Sequence, residues 1–306
     1  MDFRQLRYFL KVAEESHFTR AAQGLYVSQP TLSQGVAQLE KEIGAQLFDR
    51  IGKKVRLTQA GEVFRAYALR ALREMEEAQV ALAELEGLKR GEVRVGVVQT
   101  VNAYLVPMIA AQFGASHPGV TLRVEELSGD GIESGLLDGR LNLGIGFMPP
   151  QSGDIQAQPL FEEDLVLAVP RGHRLFSKRA VTVRELDGEA MVLMPPAFCT
   201  RRLWDEAALE AGVSLRVMVE INSVEGIVAT VRAGKLATVL PALALRGEEA
   251  RPDGLRALKL LDPTPRRSVG LLWRRDAYRC TASRALTNAA VAVVEGDLEI
   301  VGSSCS

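Results

Sequence analysis

A chain of 306 residues is more than one compact core usually organises, so two or three folded units are expected. With 47% hydrophobic residues, 25% charged residues and a net charge of -1, its composition excludes a disordered, collagen-like or fibrous protein. It also excludes a membrane-spanning helix: the most apolar stretch, ATVLPALAL at 237–245, is short and broken by Pro241.

The first stretch, MDFRQLRYFLK, carries charges at Asp2, Arg4, Arg7 and Lys11, so it lacks the apolar core of a secretory signal, and a cytoplasmic location is expected. Leu6, Phe9, Leu10 and Ala13 then recur at helical spacing. SHFT interrupts that run and offers Ser16 or Thr19 as a cap for a short helix over RAAQGL. After a tight connection at Gly24 and Tyr26-Val27, Ser28 is placed to cap a helix over 28–43. Pro30 falls in its first turn, where a missing N–H costs nothing, and Gly44 marks its end. At 100 degrees per residue, Leu32, Val36, Leu39 and Ile43 form its core stripe. Pro30, Gln34, Ala37 and Lys41 lie opposite, flanked by Thr31, Ser33 and Gln38. AQLFDRIGKKVRLTQAG reads as a hairpin in which FDRI and KVRL flank a Gly52-Lys53-Lys54 turn. Residues 1–57 therefore read as a winged helix-turn-helix, and residues 1–60 hold nine Lys and Arg against six Asp and Glu, a sign that suits a module near polyanions.

Residues 58–90 read as a long linker helix and hinge. Phe64, Ala68, Ala71, Met75, Ala78, Leu82 and Leu85 alternate spacings of four and three, the period of a coiled-coil seam rather than of a helix lying on its own domain, and a dimer is the expected consequence. From 91 to 306 short apolar strands alternate with helices: VRVGVV, VTLRVEEL, LNLGIGF, LVLAVP, AMVLM, RVMVEI, LATVLP and SVGLLWRR are the strands. That alternation predicts an α/β unit with largely parallel sheets, and its length predicts two lobes, one over about 91–161 and 267–296 and the other over about 162–266.

Two sites of chemistry follow. On the helix over 28–43, Gln34 can make a bidentate bond to adenine, Thr31 and Ser33 can bond base edges or phosphates, and Gln29 and Pro30 at its N-terminus would approach a phosphate. On the hairpin, Arg50, Lys53, Lys54 and Arg56 would contact phosphates or the minor groove. The other site is a small-molecule cleft. Hydroxyls and amides stand where strands end and helices begin, at Thr100 and Asn102, at Ser128, at Thr200 and at Asn222, with Arg201 and Arg202 nearby. Individually these are ordinary helix caps; together they suit a small anionic effector. No nucleophile elbow, phosphate loop or dinucleotide fingerprint is present, and His17, His117 and His173 are too far apart for a local metal motif. No catalytic residue, metal or cofactor is expected. Cys199, Cys280 and Cys305 are odd in number and form no C-x-x-C pair, and Cys199 sits in apolar PPAFCT, so unreactive reduced thiols are expected.

LRYFLKVAEESHFTRAAQGLYVSQPTLSQGVAQLEKEIGAQLFDR, followed by LTQAGEVFRAYA, resembles the LysR-type transcriptional regulators, and the resemblance extends over almost the whole chain. FTRAA, LFDR, LTQAGEV and PLF are similar to the cyanate operon regulator subfamily. The resemblance implies an α+β multidomain protein: an N-terminal winged helix-turn-helix, a linker helix and a C-terminal two-lobed domain like the periplasmic binding proteins. It implies a regulator that binds an interrupted palindrome in double-stranded DNA near a promoter as a dimer of dimers, responds to a small effector between the lobes, and has RNA polymerase as a further partner. DNA contacts would fall on Gln29, Pro30, Thr31, Ser33 and Gln34, with Arg50 and Lys53 or Lys54 on the wing. Gly35 and Ala37 depart from the larger residues common there, and the cysteine pair of redox-sensing members has no counterpart. The rival reading is a cytoplasmic small-molecule binding protein or enzyme whose N-terminal helices serve only for assembly.

Overall fold

The computed structural model describes residues 1–51, 54–85 and 91–298, and the chain divides into two units, Met1–Leu88 and Lys89–Ser306. The N-terminal unit begins with α1 (Phe3–Glu15), α2 (Phe18–Gly24) and α3 (Gln29–Ile43). A two-stranded antiparallel hairpin of β1 (Phe48–Ile51) and β2 (Lys54–Leu57) follows, then α4 (Gln59–Leu85).

Local chemistry sets these boundaries. Asp2 accepts from the Gln5 N–H at 2.7 Å while the Gln5 carboxamide accepts from the Asp2 N–H, a reciprocal cap for α1. Ser28 accepts from the Thr31 N–H at 3.3 Å at the head of α3, and Gly44 closes it at φ 75°. The short α2 is capped by neither Ser16 nor Thr19. His17 does it, its Nδ1 accepting from the Thr19 N–H at 3.2 Å, because Ser16 is in the left-handed region ending α1. Phe9 lies at the centre of the core, 5.2 Å from the Phe48 ring and 5.1 Å from that of Phe64, over buried Leu32, Val36, Leu39 and Leu47. Half-buried Glu40 accepts from the backbone N–H of Leu47 and Phe48, tying α3 to the hairpin.

The seam expected along α4 is divided. Phe64 and Ala68 pack into the unit's own core, whereas Ala71, Met75, Ala78 and Leu82 are exposed. The 3.5-residue period thus combines a stripe serving this core in the first turns with an open stripe beyond it.

The C-terminal unit runs β3 (Gly91–Val97), α5 (Gln99–Asn102), α6 (Val106–Ser116), β4 (Val120–Glu126), α7 (Gly129–Leu137), β5 (Leu143–Phe147) and β6 (Ile155–Val169). It continues with β7 (Ala180–Thr182), β8 (Ala190–Leu193), α8 (Cys199–Ala211), β9 (Arg216–Glu220), α9 (Val224–Ala233) and β10 (Thr238–Pro241), and closes with β11 (Arg256–Leu261), β12 (Arg266–Arg274) and α10 (Thr281–Val293). Its sheets are mixed rather than largely parallel. β4, β3 and β5 run parallel, but β12 lies antiparallel to β5 and β6, and β10 and β11 lie antiparallel to β6. The cause is β6, which crosses between two cores: through Asp164 it pairs with β12, and from Leu165 it pairs with β10 and β11. One core gathers around Val95, Ile132, Leu143 and Leu271; the other side is built on Leu165, Leu167, Trp204 and Leu258, with Val192, Ile227 and Leu240 behind. The first half of β6, together with β7 and β11, has no counterpart among the strands read from the sequence; in β6, Pro159 and Glu162-Glu163-Asp164 mask the strand signal.

Candidate functional site

On the N-terminal unit, α3 turns Leu32, Val36 and Leu39 into the core and leaves Gln29, Pro30, Thr31, Gln34, Ala37 and Gln38 exposed, with Ser33 half-buried. Not all of this face is equally free. The Thr31 hydroxyl is 2.7 Å from that of Ser28, so the two share one proton along the cap, and Gln38 donates to Glu42 at 2.8 Å. Gln34 makes no such bond among the described residues, which leaves its carboxamide available for a base edge. Gly35 is half-buried, and a Cβ there would stand 2.6 Å from Tyr8 Cδ2; it is the close-packing point of α3 on α1, which accounts for the absence of a larger residue. Arg50 faces Val55 across the hairpin and Lys54 faces Ile51, while Lys53 lies outside the described residues.

In the C-terminal unit, the carboxyl ends of β3, β4, β5 and β8 converge on a hollow of about 10 Å³, room for a single water-sized group. Gln99, Thr100, Ser128, Phe147, Cys199 and Thr200 are among its lining residues. Three of the six residues expected to hold an effector, Thr100, Ser128 and Thr200, are therefore brought together, and three are not. Asn102 donates to Glu126 at 2.5 Å. Arg201 is held by the Met194 carbonyl at 2.8 Å and by Asp205 and Glu220. Asn222 is exposed and does not line the hollow.

Beneath the hollow lies an ion pair that sequence reasoning missed. Arg267 on β12 stands opposite Glu163 on β6, both side chains 3% exposed. Nε and one terminal nitrogen of Arg267 donate to Glu163 Oε1 at 2.8 and 2.5 Å. The other terminal nitrogen donates to Thr100 Oγ1 at 2.9 Å and to Thr200 Oγ1 at 2.7 Å, and the guanidinium lies 4.5 Å from the Phe147 ring centroid. Tyr104 donates to Glu163 at 2.8 Å; burial and the adjacent carboxylate push its phenol far above the ordinary range. One guanidinium thus joins the first turns of α5 and α8. Strand parity was the available signal: Arg267 shares the inward phase of Val269 and Leu271, and Glu163 that of Leu165 and Leu167.

The network also fixes hydrogen-bond direction. A guanidinium has only donors, so the Thr100 and Thr200 oxygens are acceptors toward it and their protons must point elsewhere. Neither hydroxyl donates to any group among the described residues, although both residues are buried. Ser128 Oγ accepts from the Gly131 N–H as the cap of α7, and the first turn of α8 has no side-chain cap. The hollow is therefore lined by the free hydroxyl protons of Thr100 and Thr200 and by one unpartnered acceptor, Gln99 Oε1. Burial raises the Cys199 thiol above its ordinary range, against a lowering influence from Arg202 and Arg267.

Residues 3–62 match the model of bacterial regulatory helix-turn-helix proteins of the lysR family, and residues 86–295 match the LysR substrate binding domain. The chain belongs to the LysR family. This LysR-family chain is 31% identical over 301 residues to the Escherichia coli O157:H7 hydrogen peroxide-inducible genes activator, covering 98% of each. It is 36% identical over 238 residues to the RuBisCO operon transcriptional regulator of Allochromatium vinosum, covering 76% of the chain and 77% of the relative. Its structure is similar to full-length OxyR from Pseudomonas aeruginosa, with a TM-score of 0.76, 30% identity and coverage of 95% and 94%. The fold is also that of CbnR in complex with its target DNA, with a TM-score of 0.68, 24% identity and coverage of 95% and 99%. The LysR-family protein is a DNA-binding transcriptional regulator whose C-terminal domain binds an effector. No helix among the described residues is long and apolar enough to cross a membrane.

Proposed function

We propose that this regulator answers to a small anion seated against Thr100, Ser128 and Thr200, and that it carries the signal to DNA read by α3. The observation that carries the effector reading is the pair of buried threonine hydroxyls whose oxygens accept from Arg267 and whose protons point elsewhere, available to a ligand. A buried polar group without a partner is unfavourable, so a ligand there presents acceptors to the two hydroxyls, with at most a single donor for Gln99 Oε1. The Arg267–Glu163 pair is neutral as a unit, so it supplies no net charge to hold a polyanion. A ligand larger than the hollow requires the two cores to part, and its binding then shifts the population toward that arrangement.

On DNA, Gln34, Thr31 and Ser33 read base edges, Gln29 and Pro30 face a phosphate, and Arg50, Lys53 and Lys54 on the wing hold the backbone. The exposed stripe of Ala71, Met75, Ala78 and Leu82 on α4 pairs with a second copy, and two such dimers bind an interrupted palindrome. Residues 1–57, 58–90 and 91–306 act as DNA-binding, linking and effector segments, with lobes over about 91–161 and 267–296 and over about 162–266. A cytoplasmic location, RNA polymerase as a partner, the absence of enzymatic activity and the likeness to the cyanate operon regulator belong to the same proposal.

A thermal-shift series on the full chain tests the effector reading, with formate, acetate, nitrite and chloride set against acetamide and a neutral aromatic at constant ionic strength. Saturable stabilisation is expected from at least one anion, about 2.7 kcal/mol at a hundred times its Kd, and is expected to vanish in Thr100→Val/Thr200→Val. No stabilisation by any anion alongside a response to the neutral aromatic overturns it.

A second reading has two observations in its favour. Cys199 lines the same water-sized hollow, and several relatives are named for hydrogen peroxide-inducible genes. On this reading the Cys199 thiolate attacks a peroxide oxygen, the S–O bond forms as the O–O bond breaks, and hydroxide leaves. The raised thiol opposes it. Intact mass after stoichiometric peroxide decides: a gain of one oxygen at Cys199 within minutes favours this reading, and an unmodified chain dismisses it.

A further inference from the structure

We propose that Tyr26 is an additional DNA contact of this regulator, its phenol hydroxyl donating to a backbone phosphate beside the N-terminus of α3. Tyr26 lies in the turn that joins α2 to α3, two residues before the Ser28 cap. In that turn the Tyr26 N–H donates to the Gln23 carbonyl at 3.2 Å and the Val27 N–H to the Ala22 carbonyl at 3.0 Å. The bonds hold Tyr26 at φ 54°, in the left-handed region that an aromatic residue enters at a conformational cost and that Asn or Gly accepts readily.

That cost is not recovered within the unit. The side chain is 97% exposed, the highest exposure among the large hydrophobic residues described. Its neighbours Leu25 and Val27 both pack against the core, so the turn itself is anchored without it. A fully exposed aromatic at a backbone position suited to Asn, next to the exposed Gln29, Pro30, Thr31 and Gln34, has the properties of a contact group rather than of a folding group. The neighbouring partner is a polyanion. Phosphates flank the N-terminus of a helix seated in the major groove, and tyrosine hydroxyls are among the side chains that bond them. The hydroxyl is neutral and displaces no counterion, so its contribution leaves the salt dependence of binding unchanged, unlike that of a lysine.

This inference rests on α3 being the helix that enters the groove, and the experiment separates the two. Full-length protein selects a duplex from a random library, and Tyr26→Phe, Tyr26→Asn and Gln34→Ala are compared with it by anisotropy on that duplex and on a scrambled one. Tyr26→Phe and Tyr26→Asn are each expected to bind roughly tenfold more weakly, equally on both duplexes and with the same salt slope. Calorimetry is expected to show that Tyr26→Asn does not lower the Tm of the N-terminal unit. Affinity of Tyr26→Phe within twofold of the unaltered protein overturns the proposal, as does a change in sedimenting species without a change in affinity per site. If Gln34→Ala also leaves affinity and discrimination intact, the failure lies with the reading of α3 and not with Tyr26 alone.

Discussion

Replacing Arg267 with Met removes the cation from a pair in which both side chains are 3% exposed, and leaves Glu163 charged, buried and short of two charge-assisted hydrogen bonds. Thr100 and Thr200 lose their shared donor in the same step. Breaking a buried pair by removing one partner costs about 3–5 kcal/mol, because the remaining charge is uncompensated. For a unit of this size, each 1 kcal/mol moves Tm by about 2–4 °C, so Arg267→Met is expected to lower it by roughly 6–20 °C. Both tryptophans, Trp204 and Trp273, lie in the C-terminal unit, so tryptophan fluorescence during denaturation follows that unit without interference from the other. The double variant Arg267→Met/Glu163→Met is expected to recover most of the loss, since an apolar pair of similar volume needs no compensation, giving a coupling of about 2 kcal/mol or more. A loss below about 1 kcal/mol in the single variant, or strict additivity in the double, would refute the assignment of Arg267 and Glu163 as one buried unit.

Gly35→Ala places a methyl 2.6 Å from Tyr8 Cδ2, and overpacking of this kind costs about 1–3 kcal/mol; chemical denaturation should show the loss in the N-terminal unit, together with weaker operator binding as α3 is displaced. Leu82 is 63% exposed, so Leu82→Glu should leave the unit's Tm unchanged while shifting sedimentation from the assembled toward the smaller species. Burial raises the Cys199 thiol, so the thiolate fraction is low at neutral pH and grows as pH rises past the ordinary thiol range; the iodoacetamide alkylation rate of the Cys199 peptide should still be increasing there, and a plateau near neutrality would contradict the raised thiol.

The N-terminal unit was largely legible in the sequence because its signals are local. FDRI and KVRL became β1 and β2 with the expected bounds, and Ser28, Pro30 and Gly44 delimit α3 as their chemistry requires. The cap of α2 was misread, since histidine accepts through Nδ1 only when the ring is turned toward the helix, an orientation that no spacing reveals. In the C-terminal unit the helices and most strands followed from periodicity, but the mixed sheet did not. It depends on β6 changing partners at Asp164 and Leu165, which is decided by pairings more than 70 residues away in the chain. The hollow was half legible. Thr100, Ser128 and Thr200 follow strands and were found by that rule; Glu163 lies in the middle of β6 and Arg267 at the start of β12, and only their inward parity marked them. Asn102 and Arg201 had the right chemistry beside the right strands, yet each is spent on a nearby carboxylate.

The most direct test of the central claim, that the exposed face of α3 reads base edges, is parallel selection of duplexes from a random library by the unaltered full chain and by Gln34→Ala. The unaltered protein should enrich an interrupted palindrome, and Gln34→Ala should enrich one relaxed at a symmetric pair of positions, with a loss of about 1–3 kcal/mol for each reading lost. Enrichment of the same sequence at the same affinity by both proteins, or of no sequence by either, would contradict it.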